Sequence, residues 1–172
     1  MIKVLGAVLI IGASTLYGFY RAYLYAERPR QIRQLIHAVS RLRTEIWYGS
    51  TPLPAALSKL SQLCAKPLDR MFLVISERLQ AERTATVHTV WSETIEEMWG
   101  QTAMKQPEKE ALLELGAVLG ISDREDQLQH LKLAQTHLEH EETAAKDEQV
   151  RYEKLSRSLG LLGGALIVIL IY

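Results

Sequence analysis

The charged residues of this chain are confined to its middle. Residues 4–20 form a run of seventeen without a charge, and residues 158–172 form a run of fifteen. The stretch between them, 21–157, holds all 20 Asp and Glu and, apart from Lys3, all of the 20 Lys and Arg. Uncharged runs close to about 20 residues are typical of helices that cross a bilayer. The layout therefore predicts a helical domain that is held to a membrane at both ends.

Basic residues also distinguish the two sides of the predicted membrane. Arginines and lysines flank the middle region next to both apolar runs, whereas only Lys3 lies on the other side. Because positively charged flanks stay in the cytoplasm, we expect a cytoplasmic central domain with both termini across the membrane. A cleaved signal peptide is an alternative for the first run, although no small-x-small cleavage site follows it. A buried core helix is a further alternative, but a helix that is apolar on all faces is hard to bury in a small domain.

Apolar residues in the middle region recur at the three- and four-residue spacing of amphipathic helices. The clearest stripe consists of Ile32, Leu35, Ile36, Val39, Leu42 and Ile46. Helix-ending and helix-starting residues separate the runs, namely Gly49, Pro52, Pro67, Gly100, Pro107 and Gly120. The sequence predicts an all-α fold, an antiparallel bundle of about six helices flanked by N- and C-terminal transmembrane helices. The expected divisions are an N-terminal transmembrane helix over 1–25, a cytoplasmic helical bundle over 26–154 and a C-terminal transmembrane helix over 155–172.

Two helix starts in the bundle carry capping signals. Ser50 or Thr51 is the expected N-cap of the second helix, because a hydroxyl oxygen can accept a free backbone N–H there. The pattern from Ser122 to Glu125 has the form of a capping box and is expected to start the last helix. These signals predict where two of the helices begin.

No residue pattern in the chain predicts a reaction. The sequence contains no phosphate-binding glycine loop, no dinucleotide fingerprint and no nucleophile elbow. His137 and Glu141 are four residues apart on a predicted helix, but no fourth ligand is evident, so a solvated surface is favoured over a metal enzyme. The single Cys64 lies on a leucine-rich face, which favours a buried structural thiol. We therefore expect no catalytic residue, no cofactor and no metal, and we assign the tryptophans to core or edge positions.

Residues 21–43 are strongly basic, with six arginines against a single glutamate. The chain as a whole has a formal net charge of zero, so no nucleic acid partner is expected. Three of the arginines, Arg28, Arg30 and Arg33, are candidate contacts with lipid headgroups. The alternative is that they form a docking surface for an acidic partner protein, and the sequence leaves both interpretations open.

Three longer blocks of the sequence are more specific. They are ERPRQIRQLIHAVSRLRTEIWYGSTPLPAAL at 27–57, ELGAVLGISDREDQLQHLKLA at 114–134 and SLGLLGGALIVILI at 158–171. These blocks closely resemble the stage III sporulation protein AB family. The resemblance extends over essentially the whole chain, and residues 82–106 are its least diagnostic part.

A more distant likeness is to the helical cytoplasmic domains of inner-membrane platform proteins in type II secretion and type IV pilus systems. Those domains carry a glycine followed by a Leu and an Ala-Leu pair, and a Gly-x3-Gly element before a long helix. This chain has one such domain, whereas the platform proteins have two. The positions that match these motifs here are Gly49, Leu53, Ala56, Leu57, Gly116 and Gly120. Pro52 is a further structural position of the family block at 27–57.

The resemblance implies a non-enzymatic membrane scaffold in the mother-cell membrane facing the forespore. Such a protein belongs to a channel or secretion-like complex that supports forespore gene expression. By analogy with secretion platforms, its cytoplasmic bundle would couple a hexameric secretion-type ATPase, the stage III sporulation protein AA, to membrane components. The implied partners are the lipid bilayer, that ATPase and other channel components, with homo-oligomerisation left open. The alternative is a two-helix-anchored membrane sensor or signalling module.

Overall fold

The fold is built from helices joined by short connections. The computed structural model describes residues 2–48, 51–81 and 84–171, and within them it contains no strand. The all-α part of the prediction is therefore confirmed. The helices are α1 (Ile2–Tyr48), α2 (Leu53–Leu63), α3 (Leu68–Ala81), α4 (Val87–Met98), a 3₁₀ turn (Trp99–Gln101), α5 (Gln106–Val118) and α6 (Arg124–Ile171).

The two apolar runs form the outer parts of the two longest helices. α1 has 47 residues and α6 has 48. Across the residues that the structure describes, no helix contains a stretch both long and apolar enough to cross a membrane. The prediction of flanking transmembrane helices is therefore wrong. Both uncharged runs fall short of about 20 residues, and each contains three glycines besides hydroxyl side chains, which dilute its apolar character.

The chain separates into two compact units. The terminal unit comprises Met1–Pro29 and Thr143–Tyr172, and the central unit comprises Arg30–Glu142. The long helices α1 and α6 each contribute to both units. The short helices α2 to α5 belong to the central unit alone, so the connections that carry the sequence motifs all lie there.

A buried arginine joins the two chain segments of the terminal unit. Arg28 is 4% exposed, and its guanidinium donates a hydrogen bond of 2.8 Å to Oε2 of Glu148. The rings of Tyr25 and Tyr152 also pair across the segments, with centroids 5.6 Å apart. Several apolar side chains of this unit remain exposed, namely Val8, Leu9, Leu16, Leu159, Leu162, Leu166 and Ile169.

The core of the central unit follows the stripe that the sequence predicts for α1. Five of its six members are buried, and Ile46 is half-buried. These positions recur every three or four residues, so they lie on one face of the helix. The short helices and α6 also contribute buried apolar side chains to the core, among them Leu57, Leu60, Phe72, Ile75, Trp91, Ile95, Leu112, Leu131 and Leu138.

The start of α2 differs from the prediction. Pro52 holds the N-cap position, and no side chain caps the helix. The hydroxyl of Thr51 instead donates a hydrogen bond of 2.8 Å to Oε2 of Glu45, so Thr51 is not the cap. A carboxylate is a stronger acceptor than a neutral group, which favours this bond. Ser50, the other candidate, lies outside the described residues.

The start of α6 also differs, by one residue. Oδ1 of Asp123 accepts the backbone N–H of Asp126 at 2.9 Å, and the Asp123 carbonyl accepts the first intrahelical bond. Asp123 is therefore the N-cap, and the prediction of a cap at Ser122 is wrong. Asp and Ser are comparable caps, so the position at which the chain turns decides between them.

Candidate docking surface of the central unit

Two of the motif-bearing blocks meet at a depression in the central unit. The depression has a volume of about 230 Å³, and we call it the motif depression. Leu53 and Ala56 come from the first block and Gly120 from the second, so residues far apart in the sequence become neighbours. The residues that line it are Ile46, Thr51, Leu53, Ala56, Gly120, Arg124 and Gln127.

The first block contributes to both the core and the surface of α2. Ala56 and Leu57 are buried, Leu53 is half-buried, and Pro52 is exposed at the start of the helix. Gly49, the remaining predicted position of this block, lies outside the described residues. The buried pair anchors α2 in the core, and Leu53 and Ala56 line the motif depression.

Gly116 is required by a close approach between α4 and α5. A Cβ atom at this position would lie 2.3 Å from Cδ1 and 2.7 Å from Cγ of Trp91. The indole occupies that space and donates a hydrogen bond of 2.7 Å from Nε1 to the carbonyl of Leu112. Phe72 flanks the indole with a centroid distance of 6.4 Å. Glycine therefore permits a packed arrangement that any side chain would displace.

Gly120 turns the chain between α5 and α6. Its φ of +84° lies in the left-handed region that favours glycine, and it directly follows the C-cap Leu119. This is the helix-ending role that the sequence predicts. A Cβ atom here would lie 2.9 Å from Cγ2 of Val87. The conformation and the close contact together fix the direction in which α6 leaves the motif depression.

A second concave surface of the central unit lies between the end of α1 and the first turns of α6. Its volume is about 550 Å³, and we call it the aromatic groove. Trp47 is 65% exposed and Tyr48 is 75% exposed, so two large rings border the space without filling it. The groove residues are Arg43, Thr44, Trp47 and Tyr48 from α1 and Leu128, Gln129 and Lys132 from α6.

Sequence reasoning missed the aromatic groove because it assigned the tryptophans to core or edge positions collectively. Trp91 is buried and Trp99 is half-buried, whereas Trp47 is exposed. A signal was present, since the buried stripe of α1 ends with Ile46 and the next two helical positions point away from it. Trp47 and Tyr48 therefore could not share the face that the core covers.

The three arginines singled out from the sequence have different surroundings. In the terminal unit, Arg28 is buried and bound to Glu148. In the central unit, Arg30 and Arg33 are exposed, and Nε of Arg33 lies 2.8 Å from Oε1 of Glu142. Contact of these residues with a headgroup or a partner stays a prediction, and Arg28 would have to exchange an internal partner to make one.

The remaining chemically distinctive residues do not assemble into a reactive site. Nε2 of His137 is 3.9 Å from Oε1 of Glu141, and within the described residues no group of three His, Cys, Asp or Glu side chains could hold a metal ion. Burial and, to a smaller extent, the nearby Asp69 raise the pKa of the Cys64 thiol to about 11. Because the thiolate is the nucleophilic form, this cysteine is a poor nucleophile at neutral pH.

Known proteins resemble this chain in both sequence and fold. The sequence profile described as Stage III sporulation protein AB matches residues 3–172. The Stage III sporulation protein AB of Bacillus subtilis (strain 168) is 42% identical over 171 residues, which cover 99% of this chain and 99% of that protein. A solved structure of a Stage III sporulation protein AB has 39% sequence identity and a TM-score of 0.69, and the match covers 73% of this chain and 98% of that one.

Proposed function

The chain belongs to the stage III sporulation protein AB family, and from that premise we propose that it is a non-enzymatic scaffold of a channel or secretion-like complex. Family membership itself gives the chain a role in sporulation. In the proposed role, the central unit couples a secretion-type ATPase, the stage III sporulation protein AA, to membrane components of the complex. The chain contributes a rigid docking surface, and the ATPase contributes the hydrolysis of ATP.

The convergence of the two motif blocks on the motif depression is the observation that carries this proposal. Leu53, Ala56 and Gly120 line one surface although they come from distant parts of the sequence. The helices α2 and α5 are anchored in the core by the buried Leu57 on α2 and by the close approach of Gly116 on α5 to Trp91. A surface fixed in this way needs little reordering when a partner binds, which lowers the entropic cost of association.

The proposed location is the mother-cell membrane facing the forespore, with the central unit in the mother-cell cytoplasm, where an ATPase has access to nucleotide. The terminal unit would attach to the membrane surface without crossing it. Its exposed apolar side chains and its aromatic residues Tyr17, Phe19 and Tyr20 support such an attachment, because amphipathic rings favour the boundary between water and lipid. Flotation with lipid vesicles tests the attachment, and release at alkaline pH distinguishes surface binding from insertion.

Calorimetric titration of the full-length chain with the ATPase of the same organism tests the coupling role. Arg124 is exposed on the motif depression, so Arg124→Glu reverses a charge there without removing a core contact. We expect this variant to weaken binding about tenfold, the change that corresponds to about 1.4 kcal/mol. Arg70→Glu is the matched control, because Arg70 is also an exposed arginine but lies on α3, outside the depression.

Two results would count against the proposal. If the full-length chain did not bind the ATPase either alone or on lipid vesicles, the coupling role would be wrong. If Arg124→Glu and Arg70→Glu weakened binding equally, the ATPase would be responding to net charge, and the motif depression would lose its assignment as the docking surface.

A further inference from the structure

We infer that the aromatic groove binds an acidic segment of a partner protein. An apolar side chain of that segment fills the space beside Trp47 and Leu128, and its carboxylates pair with Arg43 and Lys132. The inference rests on the proposed function, because it names the chemistry by which the scaffold recognises a protein of the complex. It concerns a surface that is separate from the motif depression.

The first supporting observation is aromatic surface left uncovered in a concave place. Trp47 and Tyr48 are exposed at the end of α1 and border a space of about 550 Å³. Water contact with this much apolar surface is unfavourable, and tryptophan and tyrosine are enriched among residues that dominate binding energy at protein interfaces. The space is large enough to take an apolar side chain from a partner.

The second observation is uncompensated positive charge. Several other cations of the central unit are matched internally, namely Arg33 with Glu142, Arg78 with Glu97, Lys109 with Glu96 and Lys59 with Glu45. Arg43 and Lys132 form no ion pair with a carboxylate in the described part of the chain, and none of the seven groove residues is acidic. Charge complementarity therefore favours a partner segment that carries carboxylates.

The nearest acidic side chain in the sequence does not neutralise the groove. Glu45 follows the groove residue Thr44, but its carboxylate is bound by the Thr51 hydroxyl at 2.8 Å and by Lys59 at 3.4 Å. Arg41 lies 3.4 Å from its other oxygen. Glu45 is thus engaged by Thr51, Lys59 and Arg41, and none of these contacts involves Arg43 or Lys132.

Other occupants fit these observations less well. In a second copy of the chain, the acidic part of α6 is already engaged, because Glu142 pairs with Arg33 and Glu148 pairs with Arg28. A lipid surface suits the exposed apolar side chains of the terminal unit better than a concave site between two helices. A partner protein with unpaired carboxylates beside an apolar residue matches both the charge and the shape of the groove.

Calorimetry with a defined probe tests the inference on the full-length chain. The probe is a synthetic peptide of Glu-Glu-Leu-Leu repeats with blocked ends, and its control is the corresponding Lys-Lys-Leu-Leu peptide. We expect binding of the acidic peptide only. The double variant Arg43→Glu/Lys132→Glu should reduce its affinity by more than about tenfold, because two attractive charges become repulsive. Trp47→Ala should also weaken binding, because the apolar contact is lost.

The control variant is Lys66→Glu/Arg70→Glu. It changes the net charge by the same amount at two exposed cations outside the groove, and it should bind the acidic peptide as the wild type does. Circular dichroism melts of all variants separate loss of binding from loss of folding. Since Trp47 is exposed, Trp47→Ala keeps the test informative if the charge-reversed variant does not fold.

Three outcomes would overturn the inference. They are unchanged peptide binding by the groove variants, equal loss in the groove and control variants, and a groove variant that loses binding to phosphatidylglycerol vesicles but not to the peptide. The ATPase titration is a separate arm. If the wild type bound the acidic peptide in the groove but not the ATPase, the proposed function would fail and the inference about groove chemistry would stand.

Discussion

Trp91 and Trp47 show what separates the interior of the central unit from its groove. Trp91 is 1% exposed, lies against Gly116 and donates a hydrogen bond to the Leu112 carbonyl. Trp47 lies one position beyond the buried stripe of its helix and borders open space. The same residue type therefore stabilises the fold at one position and is available for binding at the other. Position on the helix, and not hydrophobicity, decides which role a tryptophan has.

Truncation of the two tryptophans is the most direct way to break this comparison. Trp91→Ala should lower the free energy of unfolding by about 3–5 kcal/mol, because it removes an enclosed indole and leaves a cavity. Trp47→Ala should change it by no more than about 0.5 kcal/mol, as for other exposed substitutions. Urea unfolding followed by circular dichroism measures both. Equal losses would mean that Trp47 also supports the fold.

Two leucines of α2 repeat the comparison within one helix. Leu57 is fully buried, whereas Leu63 is 69% exposed. Leu57→Ala should reduce the free energy of unfolding by about 2–5 kcal/mol through the cavity it creates, and Leu63→Ala serves as the matched control. If thermal melts of the two variants coincided, the assignment of α2 to the core would be wrong.

Two glycines sharpen the comparison at the level of a single methyl group. Gly116→Ala should destabilise the protein by about 1–3 kcal/mol, because the added Cβ displaces the Trp91 indole. Gly100→Ala places its Cβ in open space, so chemical denaturation should detect little change. A tolerated alanine at position 116 would show that α4 and α5 can separate without cost.

The smallest expected effect is pH-dependent and concerns Glu45, which follows the groove residue Thr44. The Thr51 hydroxyl is the main cause that lowers the pKa of the Glu45 carboxyl, with Lys59 and Arg41 lowering it further. A carboxyl whose pKa is lowered by folding stabilises the folded state at pH values above its pKa in the unfolded chain. That stabilisation is lost as the pH falls through the pKa of the folded state. Thr51→Val should therefore destabilise the protein at neutral pH and much less in acid. Unfolding curves at both pH values measure this, and a constant difference would argue against the linkage.

The helices of the central unit were largely predictable because helical periodicity depends on local sequence. The stripe from Ile32 to Leu42 is buried as its spacing predicts, and Gly120 adopts the left-handed conformation expected of a helix-ending glycine. The capping residues were less predictable, since Thr51 and Ser122 each have neighbours that compete for the same role. At Thr51 the Glu45 carboxylate on α1 takes the hydroxyl that would have capped α2. At Ser122 the chain enters the helix one residue later, so Asp123 is the cap.

The terminal segments and the groove could not be derived from local sequence in the same way. Counting uncharged residues led to the prediction of transmembrane helices, but the runs are short and contain several glycines, so no described helix meets the requirement for a span. The aromatic groove depends on the approach of α6 to the end of α1. Nothing in the sequence around Trp47 specifies where residues 128–132 lie, so only the folded chain reveals that site.

The enclosed position of Trp91 gives the protein an intrinsic optical reporter. An indole shielded from solvent emits at shorter wavelength and is protected from iodide, whereas an indole in water is quenched readily. In a Trp99→Phe background, fluorescence from Trp91 would follow the docking of α4 on α5, and the quenchable fraction would come from Trp47. One cuvette could then record unfolding and ligand capture as separate signals, without an added label.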